Sequence, residues 1–248
     1  MENNLSRVLC VTTPEKAVNY RWEENSELLD GKGIAVVDMV EIKRLQTEGV
    51  QFDNAGAIIT EGTVFGLHPY RENCYVNLAL PEEELLDAKV DLLAQFYKYL
   101  GVRSIHFEAE FSEEEKREFS ADGSVKYKVV EAKAEYKNTQ ENKMKKRFSR
   151  NETYEGEFSD ETYRKAQNMY KQIGFNRHLQ YLLKQRNPED GNKIKSQEIE
   201  VELTSELNEL TEAAFSLTAF WGVFSLKGNF MEKVSTKKTI KLKTKIEF

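Results

Sequence analysis

Val102-Arg103-Ser104-Ile105-His106-Phe107-Glu108-Ala109-Glu110-Phe111 alternates polar and apolar residues from Ser104 onward, and a second stretch, Val125–Tyr136, nearly repeats the pattern. In a strand, successive side chains point to opposite faces. Ile105, Phe107, Ala109 and Phe111 therefore share a buried face, and His106, Glu108 and Glu110 the wet one. Just before them, Leu85, Leu86, Leu92, Leu93, Phe96, Tyr97 and Leu100 make one helical stripe. Pro81 and three acids open that helix and Gly101 closes it. Helix followed by antiparallel strands, rather than regular strand–helix alternation, predicts an α+β fold.

The flanking sequence agrees. Thr13-Pro14-Glu15 is a helix start, with a hydroxyl cap and proline at the first position. Ile34–Val37 has strand length, and Asp38–Leu45 suits strand or helix. Residues 50–80 read as an antiparallel layer with pieces at Ala57–Ile59, Val64-Phe65 and Tyr75–Leu78. Ser159, with Asp160 and Glu161 behind it, caps a second amphipathic helix, interrupted at Gly174 and resumed by Leu179, Leu182 and Leu183. The expected fold is thus α+β, with mostly antiparallel strands and two longer helices at about 82–100 and 160–185. Ile199, Val201 and Leu203 alternate with glutamates, and Ile240, Leu242 and Ile246 lie in a lysine-rich run. These two strands suit pairing, since opposite charges across a ladder attract. No internal repeat or proline-rich linker is present, so one domain over 1–248 is expected, or a division into 1–80 and 81–248.

Charged residues make up 31% of the chain and the net charge is −6, which disfavours a protein coating nucleic acid over its whole surface. Cys10 and Cys74 stand apart and are expected as reduced, buried thiols, which suits a cytoplasmic location. The N-terminus is polar and carries no secretory pattern. The most apolar window, Ala213–Leu226, is shorter than the roughly 20 residues a spanning helix needs. It reads as core, as an interface, or as a segment that inserts into a membrane after a conformational change.

Three constellations bear on chemistry. Val129-Val130-Glu131-Ala132-Lys133 resembles the strand end of restriction-endonuclease-type nucleases, where an apolar pair precedes Glu-x-Lys. That resemblance implies Mg²⁺ held by Glu131 with Asp122 or Glu110, and Lys133 acting on the attacking water. As plain sequence, the apolar face of this segment switches at Val129–Val130, which suggests a bulge. His106-x-Glu108-x-Glu110 reads as a solvated face, because residues along one strand face rarely converge on one ion. His68 and His178 are isolated, and Gly31-Lys32-Gly33 lacks the spacing of a phosphate loop.

From Lys137 to Ser159 the chain is strongly polar and reads as a long loop or hairpin tip. Lys143, Lys145, Lys146, Arg147 and Arg150 form its basic part, with Phe148, Tyr136 and Tyr154 close enough in sequence to stack on bases. Such a segment meets an acidic protein surface or phosphates. The leading expectation is a cytosolic binding or regulatory protein acting through a protein partner at 137–150 and 213–226, with no cofactor. Nucleic acid at the same basic segment, the Mg²⁺-dependent nuclease, and a membrane-acting or pore-forming protein are the alternatives.

Overall fold

The structure, a computed structural model, describes residues 5–20, 29, 31–80, 83–120, 124–130, 134–174, 176–190 and 194–248. It is α+β, with two five-stranded sheets and nine α-helices among the described residues. The chain forms two compact units, one of residues 1–82, 115–129 and 206–237, the other of 83–114, 130–205 and 238–248.

The first unit is built on β1 (Val8–Val11), β2 (Ile34–Val37), β3 (Gln51–Asp53), β4 (Val64–Leu67) and β5 (Cys74–Asn77), in the order β2-β1-β4-β5-β3. All four residues of β1 are buried, because the sheet is covered on both faces. Leu9 and Val11 pack with Val37, Phe65 and Tyr75 against Ile42 and Leu45. Those last two lie on α2 (Met39–Thr47), which Asp38 caps by accepting from the Val40 and Glu41 amides. Val8 and Cys10 face the other way, into a cluster with Leu210, Phe215, Phe220, Phe224 and Phe230. These come from α7 (Ser205–Phe215), the 3-10 turn Ser216–Phe220, α8 (Trp221–Phe224) and α9 (Gly228–Val234). Of the readings open for the apolar window 213–226, core is the one that its buried residues Ala213–Leu217, Phe220, Phe224 and Leu226 fit. The predicted helix start at Thr13 holds: Thr13 caps α1 (Pro14–Asn19).

Two further readings change. The layer 50–80 is mixed rather than antiparallel, since β3 runs parallel to β5, as does β1 to β2. Ala57–Ile59 is no strand: Asn54 turns the chain there by bonding the Ala57 carbonyl, and Ile58 is left 86% exposed. Cys10 and Cys74 are both free and buried.

Also in this unit, β7 (Val125–Val129) pairs antiparallel with the end of β6 (Ser104–Phe119), from Val125↔Phe119 to Val129↔Glu115. Arg117 of β6 is 3% exposed and donates to the main-chain carbonyls of Val234 and Thr236 from Nη1 and of Asn208 from Nη2. Burial lowers its pKa, and the three carbonyls replace the water it loses.

The second unit centres on α3 (Glu83–Tyr99) against the first part of β6, with Leu86, Leu93, Phe96, Tyr97 and Leu100 meeting Ile105, Phe107 and Ala109. Around them lie α4 (Ala134–Phe148), β8 (Arg150–Thr153), α5 (Asp160–Ile173) and α6 (Arg177–Gln185). Helix α5 carries a capping box at Ser159 and Thr162, and Asn176 starts α6 afresh, so the predicted interrupted helix is two helices. β9 (Ser196–Glu202) pairs antiparallel with β10 (Thr236–Glu247) in the register Glu202↔Lys241, Glu200↔Lys243 and Glu198↔Lys245. The expected acid–lysine ladder is therefore present, and Lys241 reaches Glu200 at 2.7 Å.

Arg186, at the end of α6, ties this unit together. Its Nε donates to the Leu100 carbonyl at 3.1 Å, and its guanidinium lies 4.5 Å from the Phe158 ring centre and 4.0 Å from that of Phe248. Lysine keeps the charge but not the flat fork or the stacking. Arg186→Lys is expected to cost about 2 kcal/mol of stability, read as a lower urea midpoint at unchanged slope. In the first unit, Gly62 sits at φ +76° where a Cβ would stand 2.2 Å from the Ser225 carbonyl oxygen. Gly62→Ala is expected to lose about 2 kcal/mol or more, whereas Gly222→Ala, with nothing within 4 Å of its added Cβ, should leave the thermal midpoint nearly unchanged.

Candidate functional site

The basic segment 137–150 is not a loop. Residues 134–148 form helix α4, and the strand expected to run to Tyr136 stops at Val129. The Val130 amide still reaches the Glu114 carbonyl at 3.0 Å, the last rung on this side of β6 before the helix among the described residues. Lys, Gln, Glu, Met and Arg are all good helix formers, so the segment is helical by composition although it has few apolar anchors. Those anchors are Phe148, 2% exposed, and half-buried Met144. Phe148 is thereby removed from any stacking role.

Ion pairs divide the five basic candidates. Arg147 meets Asp87 of α3 at 2.6 Å. Arg150, at the start of β8, meets Asp91 of α3 at 3.0 Å and Glu152 at 2.9 Å, with its guanidinium 5.2 Å from the Phe107 ring centre. These two arginines hold α4 and β8 against α3. Lys145 pairs with Glu141 one turn earlier, at 3.0 Å, and this bond raises its pKa. Lys143 and Lys146 are exposed and carry no ion pair among the described residues. They are three apart, so they neighbour each other on the outward face of the helix, with Lys137 exposed further along. Lys145, Lys146 and Arg147 also fill the last turn, where cations suit the helix dipole.

Glu131, Lys133 and Asp122 lie outside the described residues. The alternative acid, Glu110, is held by Lys243 at 2.5 Å, which lowers its pKa. His106 bonds Asn151 at 2.7 Å, and Glu108 is exposed, so the His106-x-Glu108-x-Glu110 face is a solvated, cross-paired sheet surface. No group of three or more His, Cys, Asp or Glu among the described residues could hold a metal ion. No helix among them is long and apolar enough to cross a membrane.

Sequence reading missed a cleft of about 660 Å³ in the second unit, lined by Lys98, Tyr99, Tyr154, Glu155, Glu157 and Lys165, among others. Its two lysines and Tyr154 are engaged locally. Lys165 pairs with Glu161 at 2.6 Å, Lys98 lies 5.6 Å from the Tyr154 ring centre, and the Tyr154 hydroxyl donates to Glu152. The run Thr153-Tyr154-Glu155-Gly156-Glu157 was the only available signal, and it gives no ligand class. The outward face of α4 is the better candidate.

His68 is isolated in sequence but not idle in the first unit. It is 4% exposed; Nδ1 accepts from the Tyr70 amide at 3.1 Å, and Nε2 has no partner among the described residues. Burial, aided by the Arg71 charge, lowers its pKa from 6.5 to about 4. The unfolded chain therefore binds a proton below pH 6.5 that the folded chain refuses until about pH 4. Stability should be level above pH 7 and fall by about 3 kcal/mol as the pH drops through that window. Urea unfolding across pH 4–7 should show that slope, flattened in His68→Gln.

Comparisons of the chain with protein-family models, with curated proteins and with solved structures find no match.

Proposed function

We propose that the chain is a cytoplasmic binding protein that acts through a protein partner, gripping an acidic surface with the outward face of α4. The observation that supports this is the division of labour on the helix. Arg147 and Arg150 are committed to α3, while Lys143 and Lys146 point outward with no ion pair among the described residues. Two cations on a docked helix lose less conformational freedom on binding than the same residues on a loop. Exposed charges of this kind speed encounter and select partners more than they add raw affinity. A net charge of −6 favours an acidic patch on a protein over extended nucleic acid, and the free, buried thiols suit a reducing compartment.

The test compares wild type with Lys143→Glu/Lys146→Glu. A partner retained by the wild-type chain is identified, purified and titrated against both. The double variant should bind it about tenfold or more weakly, a loss of about 1.4 kcal/mol, and wild-type binding should weaken as salt rises. The thermal midpoint should barely move, because neither lysine holds an ion pair among the described residues. Retention of nucleic acid instead of protein would defeat the proposal. So would Mg²⁺-dependent cleavage of DNA or RNA that Glu131→Ala abolishes.

A further inference from the structure

We propose that the outer edge of β7 receives an extended strand from a partner protein, one in which glutamates alternate with apolar residues. This surface shares no residue with the α4 face, so either proposal can fail alone.

The backbone supplies the first argument. The Ser120 amide bonds the Ser124 carbonyl, and the Val130 amide bonds the Glu114 carbonyl. With the register Glu115↔Val129 to Phe119↔Val125, the hydrogen-bonded pairs are therefore the even ones, Glu118 with Lys126 and Lys116 with Lys128. The Arg117 amide agrees, since it turns away from β7 to the Ser235 carbonyl. It follows that Val125, Tyr127 and Val129 turn their amides and carbonyls outward. No strand among the described residues lies on that side, because β7 ends the sheet order. Unpaired edge groups of this kind are a template for another chain.

Side chains supply the second. Val129 is 60% exposed, and Tyr127 is 38% exposed with its hydroxyl donating to Glu212 and Lys237 4.9 Å from its ring centre. On the opposite face, Lys126, Lys128 and Lys116 are exposed, with Glu118 exposed and Glu114 half-buried among them. Those lysines guard the edge against a second β7, since two copies would set lysine against lysine.

The chain also contains a worked example of the partner. β10 reads Ile240-Lys241-Leu242-Lys243-Thr244-Lys245-Ile246, the same alternation as Val125-Lys126-Tyr127-Lys128-Val129. Its neighbour is β9, in which Glu198, Glu200 and Glu202 stand opposite Lys245, Lys243 and Lys241. A strand of β9 type thus satisfies a lysine-alternating edge by backbone bonds and cross-strand charge together. β7 offers the same edge with no such neighbour among the described residues.

The probe is a synthetic peptide with the sequence of residues 197–203, capped at both ends and titrated into the full chain. Hydrogen exchange should slow at the Val125, Tyr127 and Val129 amides while those of Lys126 and Lys128 change little. Val129→Pro removes one outward amide without touching a ladder bond and should weaken binding about tenfold or more. Lys126→Glu/Lys128→Glu leaves the backbone intact and should do the same, and a peptide with lysine for each glutamate should not bind. If Val129→Pro fails to fold, the exchange pattern and the charge variant decide. Equal binding by wild type and the charge variant, with no protection at the three outward amides, would overturn the proposal. Displacement of β9 by the peptide would also overturn it. So would self-association of the chain that Lys126→Glu/Lys128→Glu abolishes, because the occupant would then be a second copy.

Discussion

β6 has to satisfy two sets of neighbours along one strand of sixteen residues. From Ile105 to Phe111 every second side chain is buried in the second unit, and at Arg117 a buried side chain serves the first. Between them the sequence is Ser112-Glu113-Glu114-Glu115-Lys116, with no apolar residue at all. Such a run has little strand propensity. It is extended because its backbone belongs to a ladder and its charges find partners: Lys237 meets Glu115 at 3.2 Å, and the Ser112 hydroxyl donates to the Thr239 carbonyl. β7 lies along 115–119 and β8 along 104–107, and α4 is the chain between them. The position of the basic helix is thus a consequence of how β6 is shared out.

Buried cations perform a second structural task. Arg117, Arg186 and Lys89 are all less than a tenth exposed, and each donates to main-chain carbonyls. Lys89, on α3, reaches the Glu202 carbonyl at 2.6 Å and the Ser205 hydroxyl at 2.9 Å. A carbonyl at the end of an element has no partner inside that element. A long cationic side chain satisfies several such groups from one buried position, as Arg117 does for Val234 at the end of α9 and Thr236 at the start of β10. These residues look like surface charges in the sequence but act as joints.

That reversal explains which parts of the fold were legible. The stripe of α3, the cap at Ser159 and the matching of β9 with β10 follow from local periodicity and charge, and all are present. The end of β6 and the helicity of α4 were hidden, because both are charged segments ordered by neighbours distant in sequence. Ala57–Ile59 misled in the opposite direction, as an apolar run that a turn leaves exposed. The basic cluster was visible from composition, but not that Arg147 and Arg150 would be consumed by Asp87 and Asp91 some 60 residues earlier. The outward amides of β7 depend on register, which no single segment of sequence contains.

The backbone passes from one unit to the other five times, at 82–83, 114–115, 129–130, 205–206 and 237–238. Domains generally fold as units while the chain is being made, yet here that economy is denied. The sheet β1–β5 is made early, but its second cover, the aromatic cluster of Phe215, Phe220, Phe224 and Phe230, is made late. Until then Val8, Cys10, Ile34 and Val64 have an open face, and a nascent chain carries that apolar surface through most of its synthesis. The interlaced path therefore sets a period of dependence on the ribosome's surroundings that two consecutive domains of the same size would not have.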